Sequence, residues 1–371
     1  MIKKLVLVLI CVTLLTGCWD ERSFKEVKLV LAVAYDLRDD GRIKGTVFIP
    51  TVTRQAEGPS QQLVEILTAV GENSRDVRHK IDEKLSNIYD PAKMQVILIG
   101  EELAKKDIYS ILDSYYRDPR SNLNALVAIV EEEAAEVVKV NTEQETSISK
   151  HIVGLLQAME HATHTTGENL QLICAEMFEP GQDFVLPHLS MDEKSGVIEF
   201  RGLGLIQERS YKDEIPLEHA TLLLLMMDYL GDTAQITKKV SDKEEFRIMN
   251  YITTEVKGKK RKLNINTSGG EVKVDLTLDL RMNIVEYPHD KLEKKEEVKK
   301  LEKKLSELLT KDAEGIIAKL KEAESDVFGI GRRLEAYHYK TWKKIDWKKE
   351  YPNIEITPKV KVTIENHGII N

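Results

Sequence analysis

The chain has 371 residues, is 42% hydrophobic and 31% charged, and carries a formal net charge of −8. That balance excludes a nucleic-acid partner, because no basic domain is present to neutralise phosphates, and it excludes polybasic adhesion to an anionic membrane. The length fits two or three domains and is enough to bury a core without help from disulfides.

The first element is not part of the fold. Lys3 and Lys4 precede an almost wholly apolar stretch, Leu5 to Leu15, closed by Leu15-Thr16-Gly17-Cys18. The stretch falls short of the roughly 20 residues that cross a bilayer, and its flanks are those of a secretory signal. Leu15, Thr16, Gly17 and Cys18 resemble the lipobox of bacterial lipoproteins, in which the glycine gives a peptidase close backbone access and the cysteine thiol takes diacylglycerol before cleavage. A signal peptide over 1–17 and a lipid-anchored lead over 18–26 are therefore expected. Cleavage removes Lys3 and Lys4 and takes the net charge from −8 to −10, so the lipid carries the anchoring; two acyl chains suffice for that. Cys11 leaves with the signal and Cys18 takes lipid, so Cys174 is left alone and neither an internal disulfide nor a disulfide-linked partner is expected. The apolar run Leu170 to Ala175 predicts a buried, inert thiol at Cys174.

Val27 to Tyr35 reads as one buried strand, turned at Asp39-Asp40-Gly41 into the alternating Ile43, Gly45, Val47 and Ile49 of a hairpin. Thr53 to Gln62 reads as a loop. Val77, Ile81, Leu85 and Tyr89 predict a helix capped at Ser74 and ended by Asp90-Pro91. A strand follows over Met94 to Ile99, then a helix carrying Leu103, Ile108, Ile111, Leu112 and Tyr115. Leu126 to Val130 is a further strand, Glu131 to Val140 a short helix, and Ile148 to Met159 a helix that closes the unit. Alternating strands and helices make residues 27–195 a mixed α/β N-terminal domain, with Gly181, Pro187 and Ser195-Gly196 as its boundary signals.

Residues 196–240 are expected to form a middle strand-helix domain: a strand from Val197 to Ile206, then a helix from Glu218 to Leu230. That helix is apolar all round and too short to span a membrane, so it is a buried core helix or a docking face. Residues 241–371 are expected to form a C-terminal α+β domain. Val272, Val274, Leu276, Leu278, Leu280, Met282 and Ile284 alternate as a half-buried strand. Leu292 to Leu320 is a charged helix with one apolar face, and Ile354 to Ile364 suggests closing strands. The fold class is thus α+β and multi-domain.

Motifs for chemistry are scarce. Gly-x-Ser-x-Gly, His-Glu-x-x-His, Cys-x-x-Cys and a phosphate loop are all missing from the sequence. Gly202-Leu203-Gly204 falls inside a strand, which favours close packing over nucleotide binding. His151, His161, His164 and His188 lie near one another in sequence, and solvated or hydrogen-bonded histidines are the default over a metal pair. The seven lysines and four glutamates from Lys291 to Lys304 read as a solvated, ion-paired helix face. Tyr337, Tyr339, Trp342 and Trp347 form a candidate partner surface, with burial against the alternating strand as the alternative.

Gly17-Cys18-Trp19-Asp20, Val33-Ala34-Tyr35-Asp36, Tyr116-Arg117-Asp118, Arg201-Gly202-Leu203-Gly204, and Asp326-Val327-Phe328-Gly329-Ile330-Gly331-Arg332 ahead of Trp342 and Trp347, taken in order, resemble the Ger(x)C family of spore germination lipoproteins. The sequence departs from the family in Ser23 after Trp19-Asp20-Glu21-Arg22 and in Tyr35, which leaves the subfamily open. The resemblance implies a three-domain α+β subunit without catalysis or cofactor, on the outer face of the spore inner membrane. It implies two integral membrane subunits as partners, in a receptor for small nutrient germinants. Two other classes stand beside it: a solute-binding lipoprotein, which needs two similar lobes around a cleft, and a lipid-anchored cell-wall hydrolase, which needs a paired acid and base.

Overall fold

A computed structural model describes residues 27–53, 61–139, 148–192, 195–289 and 292–367. Leu15, Thr16, Gly17 and Cys18, with the whole expected signal and lead, lie outside the described residues.

Among the described residues the strands are β1 (Val27–Leu29), β2 (Ala32–Leu37), β3 (Ile43–Thr53), β4 (Gln61–Gly71), β5 (Ile88–Asp90), β6 (Val96–Gly100), β7 (Leu126–Val130), β8 (Val185–Met191), β9 (Ile198–Gln207), β10 (Ser210–Pro216), β11 (Gln235–Lys239), β12 (Tyr251–Asn266), β13 (Lys273–Glu286) and β14 (Glu355–Asn366). Eight of them form one sheet in the order β10-β9-β8-β7-β6-β2-β3-β4. Its centre, β2, β6, β7 and β8, is parallel, and antiparallel hairpins extend it at both ends. A second sheet runs β11-β12-β13-β14, with the last pair parallel.

Side-chain alternation sorts the core. Val33, Tyr35, Ile97, Ile99, Val127 and Ile129 face one side of the first sheet, in a core shared with helices Ser74–Asp82, Tyr109–Tyr116 and Leu170–Met177. Ala32, Ala34, Val96, Leu98, Ala128 and Val130 face the other side. That second core is continuous through helices Ala134–Lys139, Ile148–His161 and Leu217–Met226 into the second sheet and the helix Lys295–Glu322.

The structure revises several expectations. Val27 to Tyr35 is two strands. The Val30 amide donates to Asp90 O and the Leu31 amide to Phe48 O, so β1 pairs with β5 while β2 enters the large sheet. The helix expected through Tyr89 stops at Asp82, whose side chain accepts the Tyr89 amide at 2.6 Å and turns the chain into β5. The helix expected over Leu103 to Tyr115 is two, Glu101–Ala104 and Tyr109–Tyr116, the second started by Asp107 accepting the Tyr109 amide. Cys174 is half-buried rather than buried. Residues 196–240 do not stand apart: β9 and β10 complete the first sheet, the apolar helix fills the space between the sheets, and β11 edges the second. The reason is local. The Asp192 amide donates to Val197 O and the Gly196 amide to Asp192 O, so Ser195-Gly196 turns a hairpin instead of opening a linker.

The long helix also seals a strand edge. β14 is the outer strand of its sheet, and its amides at Val360, Val362 and Ile364 donate to Thr310 Oγ1 (3.0 Å), Ser306 Oγ (2.9 Å) and Glu302 Oε1 (2.8 Å). Acceptors four residues apart on the helix meet donors two residues apart on the strand. Ser306→Ala strips the partner from the half-sheltered Val362 amide and is expected to cost about 1–2 kcal/mol. A urea titration of residues 19–371 measures the loss, and an unchanged midpoint would show that water replaces the hydroxyl.

Candidate interaction site at the Asp326 junction

The Asp326 motif lies where the long helix turns into helix Ile330–Tyr337. The Ser325 amide donates to Leu320 O to end the first helix. Asp326 then starts the second: Oδ1 accepts the Ile330 amide at 3.0 Å and Oδ2 the Gly331 amide at 2.8 Å. Oδ2 also accepts Trp347 Nε1 at 3.2 Å.

A second carboxyl faces the first. Asp183, just before β8, accepts the Asp326 amide on Oδ2 (2.8 Å) and the Glu208 amide on Oδ1 (2.7 Å), and its own amide donates to Asp326 O (3.0 Å). Ser325 Oγ donates to Ile206 O, and Tyr351 Oη donates to Ser325 O. The two halves of the chain are thereby tied across more than a hundred residues. Two glycines allow the closeness. The Arg332 amide donates to Gly181 O at 2.9 Å, and a Cβ on Gly331 would lie 2.4 Å from Trp347 Nε1 and 2.8 Å from Gly181 Cα. Gly181 also has φ +70°, a conformation open chiefly to glycine.

Burial pushes the Asp326 carboxyl up to about 7, against the pull of its amide donors, and Asp183 up to about 6 for the same reason. The oxygens of both are taken by N–H donors, so the pair acts as a clamp.

Beside the clamp opens a groove of about 900 Å³ lined by Phe178, Arg209, Trp342, Ile345, Trp347 and Lys348, among others. Trp342 and Trp347 stand 6.3 Å apart at 46°. Arg209 lies 4.4 Å over the Tyr109 ring and 5.6 Å from that of exposed Phe178. Of the candidate partner residues, Trp342 and Trp347 line this groove, both half-buried. Tyr337, 79% exposed, and Tyr339, 51% exposed and stacked under Lys343, lie outside its lining. Phe178 and Arg209 join them in the lining, although nothing in the sequence links these two to residues 342–347.

The other motif residues are structural ties too. Asp36 accepts the Ala134 and Ala135 amides at 2.7 and 3.0 Å and caps helix Ala134–Lys139; burial pushes it up to about 6. Burial opposes ionisation of Asp118, but hydrogen bonds from Arg120 and Arg78 outweigh it and hold its carboxyl below the usual range. Arg201 pairs with Glu214 and Glu131, and a Cβ on Gly202 would lie 2.1 Å from Ile215 O. The histidines are dispersed: His161 bonds Asp232, His164 bonds Thr221, and His188 sits between Glu214 and Glu101. Among the described residues, no cluster of three His, Cys, Asp or Glu side chains could hold a metal.

Comparison with known proteins covers both halves. A family model described as the spore germination protein N-terminal domain matches residues 20–191, and one described as spore germination B3/GerAC-like, C-terminal, matches residues 201–368. Spore germination protein GerQC of Bacillus cereus is 26% identical over 97% of this chain and 98% of its own length. Spore germination protein A3 of Bacillus subtilis strain 168 is 22% identical over 98% of each chain. The crystal structure of the GerBC protein superimposes with a TM-score of 0.61 at 17% identity, covering 90% of this chain and 97% of that one, which shows a common fold.

The raised carboxyls fix the sign of a pH effect. Unfolded aspartates lose their protons near pH 4, whereas Asp36 and Asp183 hold theirs to about 6 and Asp326 to about 7. Between those values the native state binds more protons, so stability is greatest at the acid end of the window and falls as pH rises through 6 to 7. The urea-unfolding free energy of residues 19–371 is expected to fall by a few kcal/mol from pH 5 to pH 8, with about 5 kcal/mol as the ceiling if all three shifts count in full, and Asp326→Asn should flatten the slope. A midpoint that rises over this range would show that the amide donors, not burial, dominate.

Proposed function

The chain belongs to the Ger(x)C family of spore germination proteins, and from that premise we propose that it is the lipid-anchored, non-enzymatic subunit of a spore germinant receptor. In this reading Cys18 carries the diacylglyceryl group and residues 1–17 are removed. The folded part stands on the outer face of the spore inner membrane and works with two integral membrane subunits in the response to small nutrient molecules. The observation that carries the reading is the in-order match of both family halves over residues 20–191 and 201–368, with Leu15-Thr16-Gly17-Cys18 directly ahead of them.

The geometry supports a role in binding. The buried carboxyls serve as caps and clamps, and the groove beside Asp326 offers aromatic and cationic side chains of the kind enriched at protein interfaces. The two larger sheets differ in size and topology, eight mixed strands against four, which is unlike the similar lobes of a solute-binding lipoprotein. No helix among the described residues is long and apolar enough to cross a membrane, so in this reading attachment falls to the lipid on Cys18.

Deleting the gene is expected to abolish germination through the receptor that contains this subunit and to spare nutrient-independent germination. Normal nutrient germination in a strain also lacking every homologue would reject the reading. Cys18→Ala is expected to end palmitate labelling and release the protein from the membrane; labelling that persists would reject the lipid site. Trp342→Ala should weaken recovery of the assembled receptor while leaving the thermal melt close to wild type. A loss of about 3–5 kcal/mol, the value for a fully buried aromatic, would make Trp342 a packing residue instead.

A further inference from the structure

Among the described residues, side chains close several strand edges. β14 is sealed by Glu302, Ser306 and Thr310. At β10, the outer strand at one end of the first sheet, Lys319 Nζ reaches Glu214 O at 2.8 Å and Asp213 at 3.1 Å. At the opposite end is β4, eleven residues long. Its C-terminal half is closed as well: Lys84 Nζ donates to Thr68 O at 2.6 Å and Lys80 Nζ to Val70 O at 3.1 Å. Backbone groups along a strand alternate in direction, so those of Val64 and Ile66 point the same outward way. Among the described residues, no side chain closes them.

The open stretch is apolar. Val64 is 41% and Ile66 38% exposed, and Glu65, the one charge between them, is paired with Lys28 at 3.2 Å. Edges left to solvent normally carry lysine, proline or a bulge that discourages pairing; this one carries none of these from Val64 to Leu67.

The position of this edge names its occupant. Lys28, in β1, donates to Thr51 on β3 and Glu65 on β4, and Val27 pairs with Ile88, itself 46% exposed. The chain therefore enters the fold beside the open edge. Cys18 precedes Val27 by nine residues, which span at most about 30 Å when fully extended. On the lipid-anchor reading above, on which this inference rests, Val27 is held within that distance of the bilayer, beside Ile88 and next to the Lys28 contact with β4.

We propose that Val64–Leu67 is a docking edge that takes an extended segment of an integral membrane partner as an added strand. Main-chain hydrogen bonds give such pairing its affinity, and alternate apolar side chains of the segment resting on Val64 and Ile66 give it register.

The test uses the full-length lipidated protein in spore membranes, with Ile66 replaced by photoreactive p-benzoylphenylalanine and the exposed Thr237 replaced likewise as a control. Irradiation is expected to join position 66, and not position 237, to an integral membrane protein. Ile66→Pro removes an outward amide while leaving the β3 ladder intact, and Val64→Lys changes only an exposed side chain, so it carries the test if the proline variant folds poorly. Each should lower recovery with the membrane subunits at least about tenfold without loss of palmitate labelling or thermal stability. Wild-type recovery of both folded variants would overturn the docking edge and leave the receptor-subunit reading standing. An adduct of twice the chain mass would overturn it in favour of self-association. A lipidated wild type that recovers no membrane subunit would overturn both.

Discussion

Asp326 holds four segments in one place: its carboxyl group binds its own turn to the start of helix Ile330–Tyr337 and to the indole of Trp347, and its backbone amide and carbonyl bond Asp183 at the entry to β8. A charge buried this deeply is expensive unless hydrogen-bonded, and here the donors are backbone amides that need partners of their own at a helix start. One side chain thus answers two demands at once. Replacing it would leave amides bare and loosen the approach of Gly181 to Gly331, and with it the wall of the groove that Trp347 forms.

The apolar helix Leu217–Met226 lies between the two larger sheets. It packs against β9, β10, β12, β13 and the long helix, so it has core on every side, and residues 220–226 are all buried. The same fact explains its composition: a helix with one wet face would have shown a polar stripe. The chain's two cores are consequently unlike. One closes over a single face of the first sheet, while the other runs from the opposite face into the second sheet.

Elements whose patterning is unbroken were legible. β7 follows Leu126 to Val130 as read, and β13 keeps its apolar alternation from Val274 to Ile284. β12 was not, because a bulge between Val256 and Gly258 flips which residues face inward and scrambles the period of two. β8 was hidden by Pro187, and β4 by having too few polar positions to alternate. At the junction, the motif from Asp326 to Arg332 could be singled out, but not what it grips, since Gly181 and Asp183 lie some 150 residues earlier. Sequence proximity likewise grouped Tyr337 and Tyr339 with Trp342 and Trp347, although only the tryptophans line the groove.

The contact between the long helix and β14 works as a vernier. Four helical residues advance about 6.0 Å and two strand residues about 6.6 Å, so the two scales agree closely enough for neighbouring rungs and drift apart by about 1.2 Å over the two steps from Ile364 to Val360. Such a mismatch sets a maximum run. A straight helix can hold about three rungs of a strand before acceptor and donor fall out of step, and Thr310, Ser306 and Glu302 are three. Beyond Thr310 the next outward position on the strand is Pro358, which has no N–H to donate, and the following turns of the helix bring Lys319 to β10. The two scales also make the pairing intolerant of slippage: moving the strand by one residue would set every donor between marks, so the same three side chains that cover the edge also fix its register.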